Sequence, residues 1–280
     1  MNRLIQPLIN VKELLQLAST QKLTLIDARY GYSDYEKEHL DGAIHVDLNK
    51  DLSNVGENPA QGGRHPLPST SSFVDRLGRL GISPENHVIV YDDKSAAIAA
   101  ARFWWMLRAV GHKKIQVLDG GFQAAKMLGF PTNDKRPTPQ PLSTYPSNSW
   151  QLPVAELEEV SKASQQASQQ IIDVREVERY KGIKEPIDKI AGHIPGAINL
   201  PFTENLDENG FFLPKTTLRD KYLKAFNGSP TDKIIVHCGS GVTACHTLLA
   251  ISQAGLNLPK LYVGSWSEWS RNNLPIATEK

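Results

Sequence analysis

The residue with the clearest capacity for chemistry is Cys238, which follows the apolar segment 234–236 and His237. Residues 238–243, CGSGVT, read as a loop with two glycines, and residues 243–254 as a helix that ends at Gly255. Such a loop turns backbone N–H groups inward, and the helix dipole adds positive potential. The pattern favours the thiolate of Cys238, which is the nucleophilic form. An inert cysteine buried at a strand end is the alternative.

Length and composition predict two domains and limit the possible partners. The chain has 280 residues, with 31 Lys and Arg against 30 Asp and Glu, and no run of like charges. Nothing therefore indicates binding of nucleic acid or of an anionic membrane surface. The opening residues are too poor in apolar side chains for a signal peptide, and no stretch approaches the roughly 18 apolar residues of a membrane span. We expect a cytoplasmic protein.

The two cysteines, Cys238 and Cys245, flank the start of the predicted helix. A disulfide between them is not expected, because seven helical residues separate their Cα atoms by roughly 10 Å. A structural zinc site needs four ligands in tight pairs, and the eight histidines show no metal-type pairing either. The sequence predicts no metal site and a reducing compartment.

The second half of the chain repeats the first. Strands alternate with helices in each half, and one of these helices is expected at residues 96–109. This alternation predicts an α/β fold with a mainly parallel sheet and helices on both faces. We predict domains at residues 1–133 and 151–280, joined by a proline-rich surface linker at 134–150. The matching segments are 25–29 with 171–175, 39–46 with 193–200, 88–92 with 234–238, and 117–122 with 261–266.

The repeat also indicates which half carries chemistry. Asp92 stands where the second half has Cys238, so the first domain is predicted to be non-catalytic. Ligands of open α/β sheets gather at the carboxyl ends of strands, where Cys238 lies. Groups present in both halves are instead expected to be structural: the Asp-x-Arg strand ends at 27–29 and 173–175, and the histidines at 39 and 193.

These motifs, in this order and spacing, resemble the tandem rhodanese-like sulfurtransferases of the bacterial 3-mercaptopyruvate and thiosulfate type. The His-Ile-Pro-Gly-Ala turn at 193–197, the RFWWMLR segment at 102–108 and the GSWSEW segment at 264–269 add to the resemblance. It implies two tandem rhodanese-like domains and no metal or organic cofactor. It also implies that Cys238 takes sulfane sulfur from a small-molecule donor as a persulfide. A thiol such as thioredoxin, a low-molecular-weight thiol or cyanide would then accept it.

The resemblance further implies roles for individual residues. The 238–243 loop is similar to that of 3-mercaptopyruvate sulfurtransferases, whereas thiosulfate enzymes usually have basic residues after the cysteine. A relay beside the cysteine would comprise Ser240, His65 and, by position, Asp51. Arg179 matches a residue that binds the substrate carboxylate, for which its planar fork is suited. The remaining expected substrate contacts are Gly239, Gly241, Val242 and Thr243.

One difference from the pattern of the family leaves the preferred sulfur donor undecided. Animal mercaptopyruvate enzymes have a second arginine near position 187, where this chain has Ile187. The main prediction is transfer from 3-mercaptopyruvate through a Cys238 persulfide, and thiosulfate is the competing donor. A non-catalytic persulfide carrier or partner-binding protein is a further alternative. A cysteine phosphatase is disfavoured, because Ala244 stands where its phosphate-binding arginine would be.

Overall fold

A computed structural model describes residues 5–142 and 145–279, which divide into two compact units. The described residues of the first unit are 5–53, 68–142, 145–151 and 210–212. Those of the second are 54–67, 152–209 and 213–279. Residues 54–67 thus group with the second unit, although they precede most of the first in the sequence.

The first unit contains a five-stranded parallel sheet in the order β1-β6-β5-β2-β4, and β3 pairs with β7 as a small antiparallel sheet. Its strands are β1 (Leu8–Ile9), β2 (Thr24–Asp27), β3 (His39–Leu40), β4 (Ile44–His45), β5 (Val88–Tyr91), β6 (Ile115–Leu118) and β7 (Thr132–Asn133). Its helices are α1 (Val11–Thr20), α2 (Tyr32–Lys37), α3 (Thr70–Arg79), α4 (Ala100–Ala109) and α5 (Gly121–Met127).

Both faces of this sheet are buried. Leu25, Ile89 and Tyr91 belong to a core cluster that includes side chains of α1 and α5. Because side chains alternate along a strand, Val88 and Val90 point to the opposite face, where they are fully buried as well. The apolar β-branched sequence of β5 fits a parallel strand that is covered on both sides.

The second unit has a parallel sheet in the order β10-β9-β11-β12-β8. Its strands are β8 (Val154–Ala155), β9 (Gln170–Asp173), β10 (Ile198–Asn199), β11 (Ile234–His237) and β12 (Lys260–Tyr262). Its helices are α6 (Leu157–Gln166), α7 (Val177–Lys181), α8 (Lys215–Phe226), α9 (Thr243–Gln253) and α10 (Ser265–Trp269), with 3-10 turns at Phe202–Asn205 and Thr231–Lys233. The predicted α/β class and the tandem repeat are confirmed, because the two sheets have equivalent strand orders.

The groups shared by both halves make the same contacts in each. Arg29 forms a forked ion pair with Asp27, and Arg175 does so with Asp173, at closest distances of 2.7 and 2.6 Å. His39 and His193 place Nδ1 2.7 and 2.8 Å from the carbonyl oxygens of Tyr35 and Tyr180, and each stacks on that tyrosine. These contacts also occur in the half without a cysteine, which supports a structural role.

Two features differ from the sequence-based expectation. The sequence predicts a helix from Ala96, but α4 begins at Ala100, because the preceding N–H groups bond to the carboxylate of Asp92. The described residues of the 134–150 segment contain no helix or strand, but the segment is not wholly at the surface, since Tyr145 is buried. Residues 143 and 144 of that predicted linker lie outside the described residues. None of the described helices combines the length and apolar character that spanning a membrane requires.

Candidate active site

The cysteine loop of the second unit connects β11, which ends at His237, to α9, which begins at Thr243. Gly241 has a φ of +74°, and a Cβ there would lie 2.5 Å from the carbonyl oxygen of Val263. Both the backbone conformation and the close approach therefore require glycine at this position. The second glycine of the sequence motif is thus required for the conformation of the loop.

The start of α10 holds this loop from one side. The backbone N–H groups of Trp266 and Ser267 donate to the carbonyl oxygens of Cys238 and Gly239, at 3.0 and 2.9 Å. The N–H of Cys238 donates to Oγ of Ser265 at 3.2 Å. The carbonyl groups of Cys238 and Gly239 therefore point toward α10 and accept hydrogen bonds from it.

Three backbone N–H groups further along the loop have no acceptor among the described residues. Within the described chain, the backbone N–H groups of Gly239, Ser240 and Val242 donate to no protein acceptor. The side chain of Cys238, at the head of the loop, is 2% exposed. Buried donors without protein acceptors next to a thiol form a site that stabilises a sulfur anion.

The corresponding loop of the first unit shows the same kind of site with a carboxyl group in it. The carboxylate of Asp92, at the position equivalent to Cys238, accepts hydrogen bonds from five backbone N–H groups between Lys94 and Ala100, at 2.8 to 3.4 Å. Burial raises the pKa of Asp92, and these N–H donors oppose that shift. The loop after this strand thus directs several N–H donors toward the side chain at the end of the strand.

His65 and Ser240, two predicted relay residues, are in direct contact. Nδ1 of His65 lies 2.8 Å from Oγ of Ser240, although the two residues are 175 positions apart. Both belong to the second unit, because segment 54–67 groups there. The contact allows a proton to move between the imidazole ring and the hydroxyl group.

Three side chains at the C-terminal end of the chain hold segment 54–67 in place. Glu268 accepts from the N–H of Gly62 at 2.6 Å, Ser267 accepts from the N–H of Arg64 at 3.0 Å, and Asn272 donates to the carbonyl of Ala60 at 2.9 Å. Gly63 approaches so closely that a Cβ would lie 2.4 Å from the carbonyl oxygen of Gly264. No local sequence pattern predicts this docking, because its partners lie about 200 residues apart.

Arg179, the predicted carboxylate-binding residue, is held by two acidic side chains. Its Nε and Nη2 donate to Glu185 at 3.1 and 2.7 Å, and Nη2 lies 3.4 Å from Oδ2 of Asp188. Burial alone would raise the pKa of Glu185, but hydrogen bonds from Arg179 and from the N–H groups of Asp188 and Ile187 keep it below the usual value. The pairing therefore fixes a charged guanidinium next to the loop.

Arg64 is a site residue that sequence reasoning missed. Its Nη1 forms an ion pair with Oδ1 of Asp188. A Cβ at Gly239 would lie 3.2 Å from Nη2 of Arg64 and 3.4 Å from Nη2 of Arg179, so both guanidinium groups flank the residue after Cys238. The sequence feature that could have identified Arg64 is its position directly before His65, in the segment GGRHPLP.

Two residues from the sequence analysis have other surroundings. Asp51 belongs to the first unit, where its carboxylate pairs with Arg76 at 2.8 Å and accepts from the N–H of Asp47 at 2.8 Å. Its role beside His65 stays a prediction. Ile187, in the position that the resemblance assigns to an arginine, is 56% exposed and carries no charge to the site.

Two further residues near the loop are buried. His237 places Nδ1 3.1 Å from the carbonyl oxygen of Cys238, and burial lowers its pKa. Cys245 donates to the carbonyl of Gly241 at 3.3 Å and forms no disulfide. In the part of the chain that the structure describes, no group of three or more potential ligands is arranged to hold a metal ion.

Comparison with known proteins gives consistent matches over nearly the whole chain. The rhodanese-like domain model matches residues 10–127 and 156–272. A protein of Pseudomonas aeruginosa named "Probable 3-mercaptopyruvate sulfurtransferase" is 36% identical over 282 residues, which cover 97% of this chain and 98% of that protein. The thiosulfate sulfurtransferase of Rattus norvegicus is 33% identical over 254 residues, or 88% of this chain and 82% of that protein.

Among solved structures, the 3-mercaptopyruvate sulfurtransferase of Leishmania major aligns with a TM-score of 0.84 and 30% identity, covering 95% of this chain and 74% of that one. Fold and site define a protein of two tandem α/β domains, with a cysteine at the head of an N–H-lined loop in the second. The two matched segments contain both sheets and Cys238. The chain belongs to the rhodanese-like family.

Proposed function

We propose that the protein is a sulfurtransferase that takes sulfur from 3-mercaptopyruvate as a persulfide on Cys238 and passes it to a thiol or to cyanide. The observation that carries this proposal is the position of Cys238, in a loop with available N–H donors and beside the guanidinium group of Arg179. The loop suits a sulfur that is an anion before and after transfer, and the guanidinium suits an anionic donor.

The first half-reaction forms one S–S bond and breaks one C–S bond. The thiolate of Cys238 attacks the sulfur of 3-mercaptopyruvate, and the C–S electron pair stays on carbon as the enolate of pyruvate. The donor's S–H proton ends on that carbon, so pyruvate and the Cys238 persulfide anion are the products. In the second half-reaction an acceptor thiolate or cyanide attacks the outer sulfur, and the S–S electron pair returns to Cys238.

The contact between Ser240 and His65 fits the proton transfer that this donor requires. The hydroxyl of Ser240 follows Cys238 by two residues and lies 2.8 Å from Nδ1 of His65. The pair can take the proton of the donor thiol and return it to carbon as the enolate forms. We propose that Asp51 orients His65 in this relay. Gly239, Gly241, Val242 and Thr243 then form the backbone cradle for the transferred sulfur.

Two observations bear on the choice of donor. The loop residues Gly239 and Ser240 add no charge, which favours a donor with one carboxylate over the dianion thiosulfate. The two guanidinium groups beside Gly239 favour thiosulfate as the second candidate. With thiosulfate the same attack releases sulfite, and no proton has to reach carbon.

The remaining assignments extend the proposal. Acceptors are a protein thiol such as thioredoxin, a low-molecular-weight thiol or cyanide, and the free state of both cysteines fits the reducing cytoplasm as the compartment. The first unit, with Asp92 in the place of the nucleophile, is a non-catalytic domain. We assign residues 1–133 and 151–280 to the two domains.

The test is a steady-state assay of the wild type and Cys238→Ser with 3-mercaptopyruvate and with thiosulfate, using cyanide as the common acceptor. We expect activity in the wild type and less than a few per cent of it in the variant, because a hydroxyl is a far weaker nucleophile at nearly the same size. Cys245→Ser is the matched control and should retain transfer.

Mass spectrometry of the protein after donor alone adds a direct readout. The wild type should gain one sulfur atom on the peptide that contains Cys238, and Cys238→Ser should gain none. Turnover in Cys238→Ser would overturn the mechanism. A stable persulfide without turnover would favour the carrier alternative, and faster turnover with thiosulfate would make thiosulfate the donor.

A further inference from the structure

We propose that segment 183–190 of the second unit, the docking loop, is the surface that binds the protein thiol to which Cys238 passes its sulfur. This inference rests on the proposed function and deepens it, because it specifies how one class of acceptor is recognised. The partner that we infer is a small protein whose reactive cysteine lies in an apolar surface flanked by carboxylate groups.

The docking loop belongs to a stretch of chain that the first half lacks. In each unit a histidine stacks on a tyrosine and places Nδ1 near the carbonyl oxygen of that tyrosine. His39 follows Tyr35 by 4 positions, whereas His193 follows Tyr180 by 13. The half that carries Cys238 therefore has nine additional residues between two equivalent landmarks. The shared architecture of the two units does not require them.

The acidic side chains of the docking loop point inward. The side chains of Glu185 and Asp188 are 3% and 0% exposed. Their ion-pair partners are four arginines, Arg64, Arg175, Arg179 and Arg271. Glu185 also accepts from the N–H groups of Ile187 and Asp188, both at 3.0 Å. These contacts hold the loop from its inner side, so its outer face is ordered before any partner binds, which lowers the entropic cost of docking.

The outer face of the docking loop is apolar and cationic. Ile183, Ile187 and Ile190 are 68%, 56% and 42% exposed, and Lys184 and Lys189 are exposed as well. Large aliphatic side chains are usually buried and carboxylates usually exposed, and this loop has the opposite arrangement. Three exposed isoleucines within eight residues form an apolar patch, which is typical of an interaction surface.

The docking loop borders the candidate active site. Oδ2 of Asp188 lies 3.4 Å from Nη2 of Arg179, and the same nitrogen lies 3.4 Å from the Cβ position of Gly239. Near the other end of the loop, the indole N–H of Trp266 donates to the carbonyl of Ile190 at 2.8 Å. A protein that brings its thiol to the cysteine loop therefore meets the docking loop beside it.

Burial and charge select the occupant. Cys238 is buried, so an acceptor thiol has to reach into the loop, and a protein acceptor needs surface contacts around that thiol to hold it there. Isoleucines with lysines between them complement an apolar surface flanked by carboxylates. A second copy of the chain is disfavoured, because pairing this face with itself would bring lysines together. Cyanide is too small to contact both Cys238 and the docking loop.

Two matched double variants test the proposal, Ile183→Gln/Lys184→Gln in the docking loop and Leu223→Gln/Lys224→Gln on α8. Each removes an exposed aliphatic side chain and the exposed lysine that follows it, both in the second unit. The assay measures pyruvate release from 3-mercaptopyruvate, with reduced thioredoxin, a small protein dithiol, as the acceptor. We expect KM for thioredoxin to rise about tenfold in the loop variant only. With cyanide as the acceptor, both variants should match the wild type.

Calorimetry supplies a readout that needs no sulfur transfer. Reduced thioredoxin is titrated into Cys238→Ser, alone and combined with each double variant. We expect Kd to be about tenfold higher with the loop substitutions and unchanged with those on α8. Binding that depends on the loop, in a protein that transfers no sulfur, would support the docking surface and contradict only the proposed function.

Thermal unfolding shows that each variant is folded, and light scattering gives its oligomeric state. Absent binding of thioredoxin, or equal Kd values for the loop and α8 variants, would overturn the proposal. A parallel loss with cyanide would mean that the loop shapes the active site and does not recognise a protein. A change of oligomeric state in the loop variant would assign this face to a second copy of the chain, which also contradicts the proposal.

Discussion

Oγ of Ser267 accepts a hydrogen bond from the backbone N–H of Arg64 at 3.0 Å, across 203 residues of sequence. The next residue along the chain, His65, contacts Ser240, and the Arg64 side chain lies beside Gly239. The N-terminal end of α10 therefore positions two side chains of the candidate site from a segment distant in sequence. It also holds the cysteine loop, through the N–H groups of Trp266 and Ser267.

Gly63→Ala tests this positioning. A Cβ would lie 2.4 Å from the carbonyl oxygen of Gly264 and 2.7 Å from Oγ of Ser267, so segment 54–67 has to move away from α10. We expect kcat/KM to fall about 10²-fold, because displacements near 1 Å have that effect on reacting groups. Gly228→Ala is the matched control, since Gly228 has the same φ of +80° with no atom within 4 Å. Equal activity in the two variants would show that the contact with α10 does not position the site.

Ser240→Ala should separate the two donors. With 3-mercaptopyruvate a proton must reach carbon, and loss of the hydroxyl 2.8 Å from His65 should lower kcat about 10²-fold. With thiosulfate no proton moves to carbon, and we expect a change of less than about threefold. Steady-state assays with both donors give the comparison, and thiosulfate serves as the internal control. Equal losses with both donors would mean that Ser240 supports the loop and relays no proton.

Much of the fold is predictable from local pattern. The strands at Ile234–His237 and Ile115–Leu118 are short apolar runs, and the repeat of Asp-x-Arg strand ends showed the tandem organisation. Within the candidate site, the nearness of His65 to Ser240 came from resemblance. Arg64 and Asp188 escaped prediction, because their ion pair joins loop residues 124 positions apart and leaves no periodicity in the sequence. The start of α4 at Ala100, and not at Ala96, could not be predicted from local pattern, because the side chain of Asp92 accepts hydrogen bonds from the N–H groups that precede the helix.

Asp92→Asn should destabilise the first unit. Oδ1 accepts from the N–H groups of Lys94 and Ala96, and Oδ2 lies 3.3 to 3.4 Å from those of residues 98–100. An amide NH2 group would face backbone donors in either orientation, so we expect a loss of about 2 kcal/mol in the free energy of unfolding. Urea titration measures it, and Asp93→Asn, which removes the same charge at a partly exposed position, is the control. Equal stability of the two variants would contradict the anion-site interpretation of this loop.

The stability of the first unit should also depend on pH through His112. This buried ring places Nδ1 3.0 Å from the hydroxyl of Tyr145 and Nε2 3.1 Å from the carbonyl of Asn86, partners that suit its neutral form. Burial lowers the pKa of His112 to about 4, against about 6.5 in the unfolded chain. The unfolded chain therefore binds more protons between these values, and stability falls as the pH falls through this window.

Protonation of His112 should lower the free energy of unfolding at pH 5 by about 2 kcal/mol relative to pH 7. His112→Gln removes the titrating group, so its stability should change less between pH 7 and pH 5 than that of the wild type. Urea titrations of both proteins at the two pH values measure the difference, and background titrations common to both cancel. The same loss in His112→Gln as in the wild type would mean that this histidine is not responsible. A smaller loss would assign the acid sensitivity to the burial of one neutral ring between Tyr145 and Asn86.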